Sequence, residues 1–135
     1  MQHSGFTLIE MLLVLVILGT LAAIVVPKFA GTGEKARTTA AKTQISAFDT
    51  ALSAFELENG HYPKGKNGLN DLVVQPRDCP SWHQQLESIP LDPWQHPYIY
   101  ECPGKHRPNS FDLSSMGPDG RAGTEDDIVN WTTGK

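Results

Sequence analysis

A run of apolar residues from Phe6 to Val26 constrains this chain more than any other feature. Glu10 is the one charged residue in it, and Thr7 and Thr20 are its other polar side chains. As a helix the run rises about 31 Å at ~1.5 Å per residue, roughly the thickness of a bilayer's hydrocarbon core. Met1, Gln2, His3, Ser4 and Gly5 precede it. A secretory signal peptide needs a basic leading region, a shorter apolar core and an Ala-x-Ala-like cleavage site. These five residues hold no Lys or Arg, the run is too long, and Val26-Pro27-Lys28 is a poor cleavage site. The run is therefore expected to be retained as a membrane span over 6–27. Pro27 has no backbone N–H to donate, so the helix should kink or loosen near Val26.

Glu10 is then the informative residue, because a carboxylate in hydrocarbon is costly and usually meets a partner. No basic residue lies within a turn of it. Two readings stand. Glu10 sits one turn from the interface and is solvated there, or its partner is another chain, a lipid headgroup or a new terminal amine.

The remaining residues are poor in core formers and rich in glycine and proline, with 12 and 10 in the whole chain. Such a length leaves one small domain, of a size that often needs a disulfide, a metal or a partner. The net charge of −4 and the lack of a basic stripe argue against a nucleic-acid partner. The two cysteines, Cys79 and Cys102, fit a disulfide in an oxidising compartment, the other reading being two unrelated thiols. Neither belongs to a CxxC or CxxH pattern, which argues against a zinc or redox site.

Residues 28–58 continue as a soluble helix. Ala41, Ile45, Phe48, Leu52 and Phe55 recur at steps of 4, 3, 4 and 3, which is one apolar face. Lys42, Asp49, Ser53 and Glu56 lie opposite. Asn59-Gly60 should end the helix, with Gly60 beyond the C-cap. Lys28, Lys35, Arg37 and Lys42 follow the span, and the positive-inside rule alone would leave that side in the cytoplasm. The cysteine pair argues the reverse.

Farther on, 68–74 suits one or two helical turns, and Trp82, Leu86 and Ile89 are expected anchors. Residues 97–102, 109–115 and 128–131 read as short strands. His61, His83, His96 and His106 are scattered, no two at helical spacing, and read as surface or packing residues. Between the last two strands Asp119, Glu125, Asp126 and Asp127 gather against one Arg121, with Gly117, Gly120 and Gly123 permitting tight turns. Such oxygen-rich loops suit a hard cation, calcium better than magnesium. This is no EF-hand: counted from Asp119, the third position is Arg121, the sixth Thr124 and the twelfth Asn130. From composition alone a solvated acidic loop is the favoured reading.

Gly5-Phe6-Thr7-Leu8-Ile9-Glu10 followed by Met11-Leu12-Leu13-Val14 resembles the N-terminus of type IV pilins and pseudopilins. The resemblance implies cleavage by a prepilin peptidase after Gly5 and N-methylation of Phe6. It also implies pairing of Glu10 with the terminal amine of a neighbouring subunit, and a leader on the cytoplasmic face. Asn59-Gly60-His61-Tyr62-Pro63, Gly68-Leu69 with Leu72-Val73, and Asp92-Pro93-Trp94 with Pro97-Tyr98 narrow it to the major pseudopilins of type II secretion systems. Phe111 to Gly120 and Asp126-Asp127-Ile128 with Asn130-Trp131 resemble that family's calcium loop. There the matching Asp119, Asp126 and Asp127 give side chains, and the positions of Met116 and Thr124 give backbone carbonyls. Met116 stands where leucine is more usual, and the cysteine pair departs from the family pattern.

The expected fold is therefore α+β and pilin-like: a long N-terminal helix, its first half in the membrane, packed on a small antiparallel sheet with a calcium-binding loop. The expected parts are a leader over 1–5, the span over 6–27, a soluble helix over 28–60 and a periplasmic domain over 61–135 with its acidic loop at 116–128. The resemblance implies a structural subunit, single-pass in the bacterial inner membrane. It would polymerise into a periplasmic pseudopilus that exports folded proteins across the outer membrane. Its implied partners are its own copies, minor pseudopilins, the inner-membrane assembly platform and the prepilin peptidase. A subunit of another type IV filament, for DNA uptake or adhesion, is the alternative. Catalysis is disfavoured: Asp126 and Asp127 are a carboxylate pair on paper, but no Gly-x-Ser-x-Gly, histidine or catalytic-metal signature accompanies them.

Overall fold

A computed structural model describes residues 5–133, apart from the side chains of 25–30. The leader residues 1–4 and the softening expected at Pro27 thus lie outside what is described. The chain divides into two compact units, 1–36 and 37–135. One helix, α1, runs Leu8–Asn59. In the first unit its described side chains from Leu8 to Ile24 are all exposed. Among the described residues no helix is long and apolar enough to cross a membrane, and the span expected over 6–27 extends past them.

In the second unit the apolar stripe is buried as its spacing predicts. Ala41, Ile45, Phe48, Leu52 and Phe55 all enter the core, joined by Ala51. Each large side chain buried there contributes about 1.5–3 kcal/mol. The helix stops where expected. Gly60 takes φ +79°, which only glycine adopts freely, and its N–H donates to the Glu56 carbonyl at 2.7 Å. Asn59 Nδ2 covers the Phe55 carbonyl at 3.0 Å.

A 3-10 turn over Gly68–Leu72 buries Leu69 and Leu72. Trp82 is half-buried and its indole N–H donates to the Asp71 carbonyl at 2.6 Å, so it anchors the following loop. Three antiparallel strands follow, β1 (Ile99–Glu101), β2 (Asp112–Ser115) and β3 (Ile128–Val129), in spatial order β1-β2-β3. Tyr100 pairs with Leu113, and Ser115 with Ile128. Tyr98, Tyr100, Phe111, Leu113 and Ile128 complete the core. Phe48 meets Tyr98 edge to face at 5.1 Å, and the Tyr98 hydroxyl donates to Gln44 Oε1. Tyr100 donates to the Pro63 carbonyl at 2.6 Å.

The strands are shorter than their sequence patterns. Past Glu101 the chain changes partner, and Cys102 pairs with Gly65 instead of with β2. Before Leu113, the Phe111 carbonyl is taken by the Asn130 side chain, which also accepts from the Leu113 N–H at 2.9 Å.

The expected disulfide is corrected by the structure. Cys79 and Cys102 are both free. Cys79 is buried in the core, whereas Cys102 points its thiol at the Ser110 carbonyl, 3.6 Å away. Burial raises both pKa values, aided at Cys79 by the nearby Asp78 and Asp71 carboxylates, so both stay protonated. The small domain is held by its aromatic core and hydrogen-bonded loops.

Candidate functional site

Two groups of residues carry chemistry: the acid near the head of α1 and the acidic loop between β2 and β3. At the first, Gly5 and Phe6 precede the helix and are exposed. Thr7 and Glu10 form a reciprocal pair. The Thr7 N–H and hydroxyl donate to Glu10 Oε2 at 2.7 and 2.9 Å, and the Glu10 N–H donates back to Thr7 Oγ1 at 3.3 Å. This is a capping box that satisfies orphan donors at a helix start. Both Thr7 donors are neutral, so they satisfy the carboxylate's hydrogen bonding and leave its charge uncompensated.

At the second, the chain leaves β2 at Ser115 and turns at Gly117, with φ +64°. A Cβ on Gly117 would collide with the backbone and carboxylate of Asp126. Glycine thus lets the two ends of the loop meet. Asp119, Asp126 and Asp127 converge, offering carboxylate oxygens within 4.8 Å of one another. Oxygens around one calcium ion, at ~2.3–2.6 Å from it, lie up to about 5 Å apart, so the donor set fits a hard cation in spacing and chemistry.

The chain holds this arrangement with its own donors. Asp126 accepts from the Asp119 N–H at 3.1 Å and from the Thr124 hydroxyl at 2.6 Å. Asp127 accepts from the Gly123 N–H at 2.7 Å, and Asp119 from the Arg121 N–H at 2.8 Å. The Thr124 hydroxyl, then the Asp119 N–H, hold the Asp126 carboxyl below its usual range, so it is ionised at neutral pH. Thr124 is exposed, its carbonyl receiving the Asp127 N–H at 3.3 Å; Met116 is half-buried just past β2. Glu125 is exposed, outside the converging set.

A family model described as "Type II secretion system (T2SS), protein G" matches residues 28–131, and the prokaryotic N-terminal methylation motif matches 1–26. This chain belongs to the major pseudopilins of type II secretion. Type II secretion system core protein G of Escherichia coli K12 is 43% identical, over 99% of this chain and 94% of that protein. Its counterpart in Pseudomonas aeruginosa is 45% identical, over 96% of each. The crystal structure of the major pseudopilin from the type 2 secretion system of enterohaemorrhagic Escherichia coli superposes with a TM-score of 0.67 at 34% identity, covering 81% of this chain and 98% of that one.

The pseudopilin is thus a pseudopilus subunit of type II secretion, with an α+β fold of one long helix and a three-stranded antiparallel sheet. Its family is a structural one, and its methylation motif goes with a membrane-anchored periplasmic filament and with processing by a prepilin peptidase.

Several residues that shape these sites escaped the sequence reading. Thr7-x-x-Glu10 carries the capping-box spacing, a helix-start signal lying inside the apolar run. Asp92 belongs to the Asp92-Pro93-Trp94 motif of the resemblance, but its role is long-range: it is 1% exposed and accepts from three donors, including Ser115, 23 residues away. Asn130 pins β2, a long-range role that no local pattern announces.

Proposed function

We propose that the pseudopilin is cleaved after Gly5, methylated at Phe6 and anchored by a single pass over 6–27, with 28–60 and 61–135 in the periplasm. Many copies polymerise with one another, with minor pseudopilins and against an inner-membrane assembly platform. The growing filament acts as a piston or screw that pushes folded proteins through an outer-membrane channel. The exposure of Gly5 and Phe6 supports access by the peptidase. The uncompensated charge of Glu10 supports a cationic partner, the methylated terminal amine of a neighbouring copy.

The acidic loop binds calcium through the side chains of Asp119, Asp126 and Asp127 and the carbonyls of Met116 and Thr124. The observation that carries this reading is the convergence of three carboxylates, with oxygens within 4.8 Å of one another. Bound there, calcium neutralises the carboxylates and fixes the loop. The chain contributes the orientation: the Thr124 hydroxyl and the Asp119 N–H aim Asp126, and the Gly123 N–H aims Asp127.

Two experiments test the reading. Glu10→Val is expected to abolish incorporation into filaments and secretion while leaving membrane insertion intact; normal secretion would sink the assembly role. Asp126→Ala is expected to reduce secretion and to remove the melting-temperature rise that calcium gives the wild type. Equal melting temperatures for both proteins, with calcium and with chelator, would sink the metal role.

A further inference from the structure

The turn over Asp92–His96 touches the acidic loop at both of its first hinges. Asp92 is 1% exposed and Ser115 fully buried. The Ser115 hydroxyl donates to Asp92 Oδ2 at 2.6 Å and accepts the Gly117 N–H at 3.2 Å. Asp92 Oδ1 is fixed in turn by the Trp94 and His96 N–H groups at 3.1 and 2.8 Å. The His96 ring, with Nδ1 3.8 Å from Asp92 Oδ1, closes over Gly120, where an added Cβ would lie 3.0 Å from its Nε2. Gly117 and Gly120 both have positive φ, and Asp119 lies between them.

We propose that Asp92 is a positioning residue for the acidic loop. Acting through Ser115 on Gly117 and through His96 on Gly120, it sets the backbone that brings Asp119 to Asp126 and Asp127. The inference rests on the calcium reading and adds that affinity is determined in a turn that supplies none of the ligands. The physical reason is the strength of a buried carboxylate as an acceptor. Its hydrogen bond to Ser115 is charge-assisted, in surroundings with little competing water. Ser115 is held by it with a lone pair turned to the Gly117 N–H. A loop held so has less entropy to lose when an ion binds.

The test uses the full mature chain in detergent micelles, with calcium alone as ligand. Wild type, Ser115→Ala, the isosteric Asp92→Asn, and Asp112→Asn as a buried aspartate outside the loop are compared. Asp92→Asn serves should Ser115→Ala fail to fold. Three readouts are taken: amide hydrogen exchange of 116–127 in chelator, calcium affinity by calorimetry, and melting temperature in chelator. The expected result for Ser115→Ala and Asp92→Asn is roughly tenfold faster exchange at Gly117 and roughly tenfold weaker calcium binding. Asp112→Asn should lower the melting temperature yet leave the affinity unchanged. Unchanged loop exchange, or an affinity that falls equally in Asp112→Asn, would overturn the proposal. Faster exchange in variants of a wild type that takes up no calcium would instead overturn the calcium reading and leave the brace standing.

Discussion

Two loops of the globular unit are organised by aspartates, and they solve the problem of negative charge differently. The loop over 103–111 closes on one carboxylate, Asp112, which is 8% exposed. Its oxygens accept the His106 N–H at 2.9 Å, the Arg107 N–H at 3.1 Å and a contact from His106 Nδ1 at 2.9 Å. The His106 ring stacks flat on Trp131 at 4.2 Å, and the Arg107 guanidinium lies 5.5 Å over the Phe111 ring. Burial pushes the Asp112 pKa up, but these donors outweigh it and the net shift is downward. The loop over 116–128 gathers three carboxylates whose donors are mostly neutral N–H and O–H groups of the same loop. One loop carries its compensation within the chain. The other, on the calcium reading proposed above, takes its compensation from a bound cation.

The largest test of that contrast is metal removal. A ligand present at 1,000 times its Kd stabilises the folded state by about 4 kcal/mol. For a unit near 100 residues this corresponds to roughly 15–30 °C in melting temperature. Wild type in calcium should melt higher than in chelator by up to that amount, and Asp126→Ala should show no difference. The contrast breaks if the wild type melts equally in both.

Next in size is Asp112→Ala, which strands the His106 and Arg107 donors around a buried position. It should cost about 3 kcal/mol, by denaturant titration, and the same in calcium and in chelator. A loss seen only with calcium present would mean that the two loops are one system.

A pH titration in chelator sharpens the contrast further. The folded pKa of Asp112 lies below its unfolded value, so its contribution is complete above the unfolded pKa, near 4. It should be lost as pH falls from about 4 through the folded pKa, because the unfolded chain then binds the proton first. Asp112→Asn should flatten that part of the curve. An unchanged slope would place the acid sensitivity elsewhere.

How far these features could be read from the sequence depends on their range. The helical stripe from Ala41 to Phe55 was legible because its spacing repeats locally, and Gly60 because a cap is a local signal. The convergence of Asp119, Asp126 and Asp127 was legible only through family resemblance, since composition alone favoured a solvated loop. The state of Cys79 and Cys102 was not legible: an even count says nothing about whether two thiols face each other, and here each has its own surroundings. Asp92 and Asn130 act over 23 and 17 residues of sequence, on partners that only the folded sheet brings near. Asp112 carries no local signal of its enclosure, since the His106 and Arg107 donors reach it only across the folded loop.

The smallest expected effect isolates the imidazole. His106→Phe keeps a flat ring over Trp131 but removes the side-chain contact to Asp112, leaving the two backbone donors in place. The imidazole is more than half exposed, so water competes for the carboxylate and the loss should be modest, about 1 kcal/mol. A double-mutant cycle with Asp112→Ala gives that coupling directly, because ring stacking is retained on both sides of the cycle. The coupling should be equal in calcium and chelator, as expected of a loop compensated from within. A coupling that changes with calcium would join this corner to the acidic loop through Leu113 and Asn130, which bridge β2 to the segment after β3.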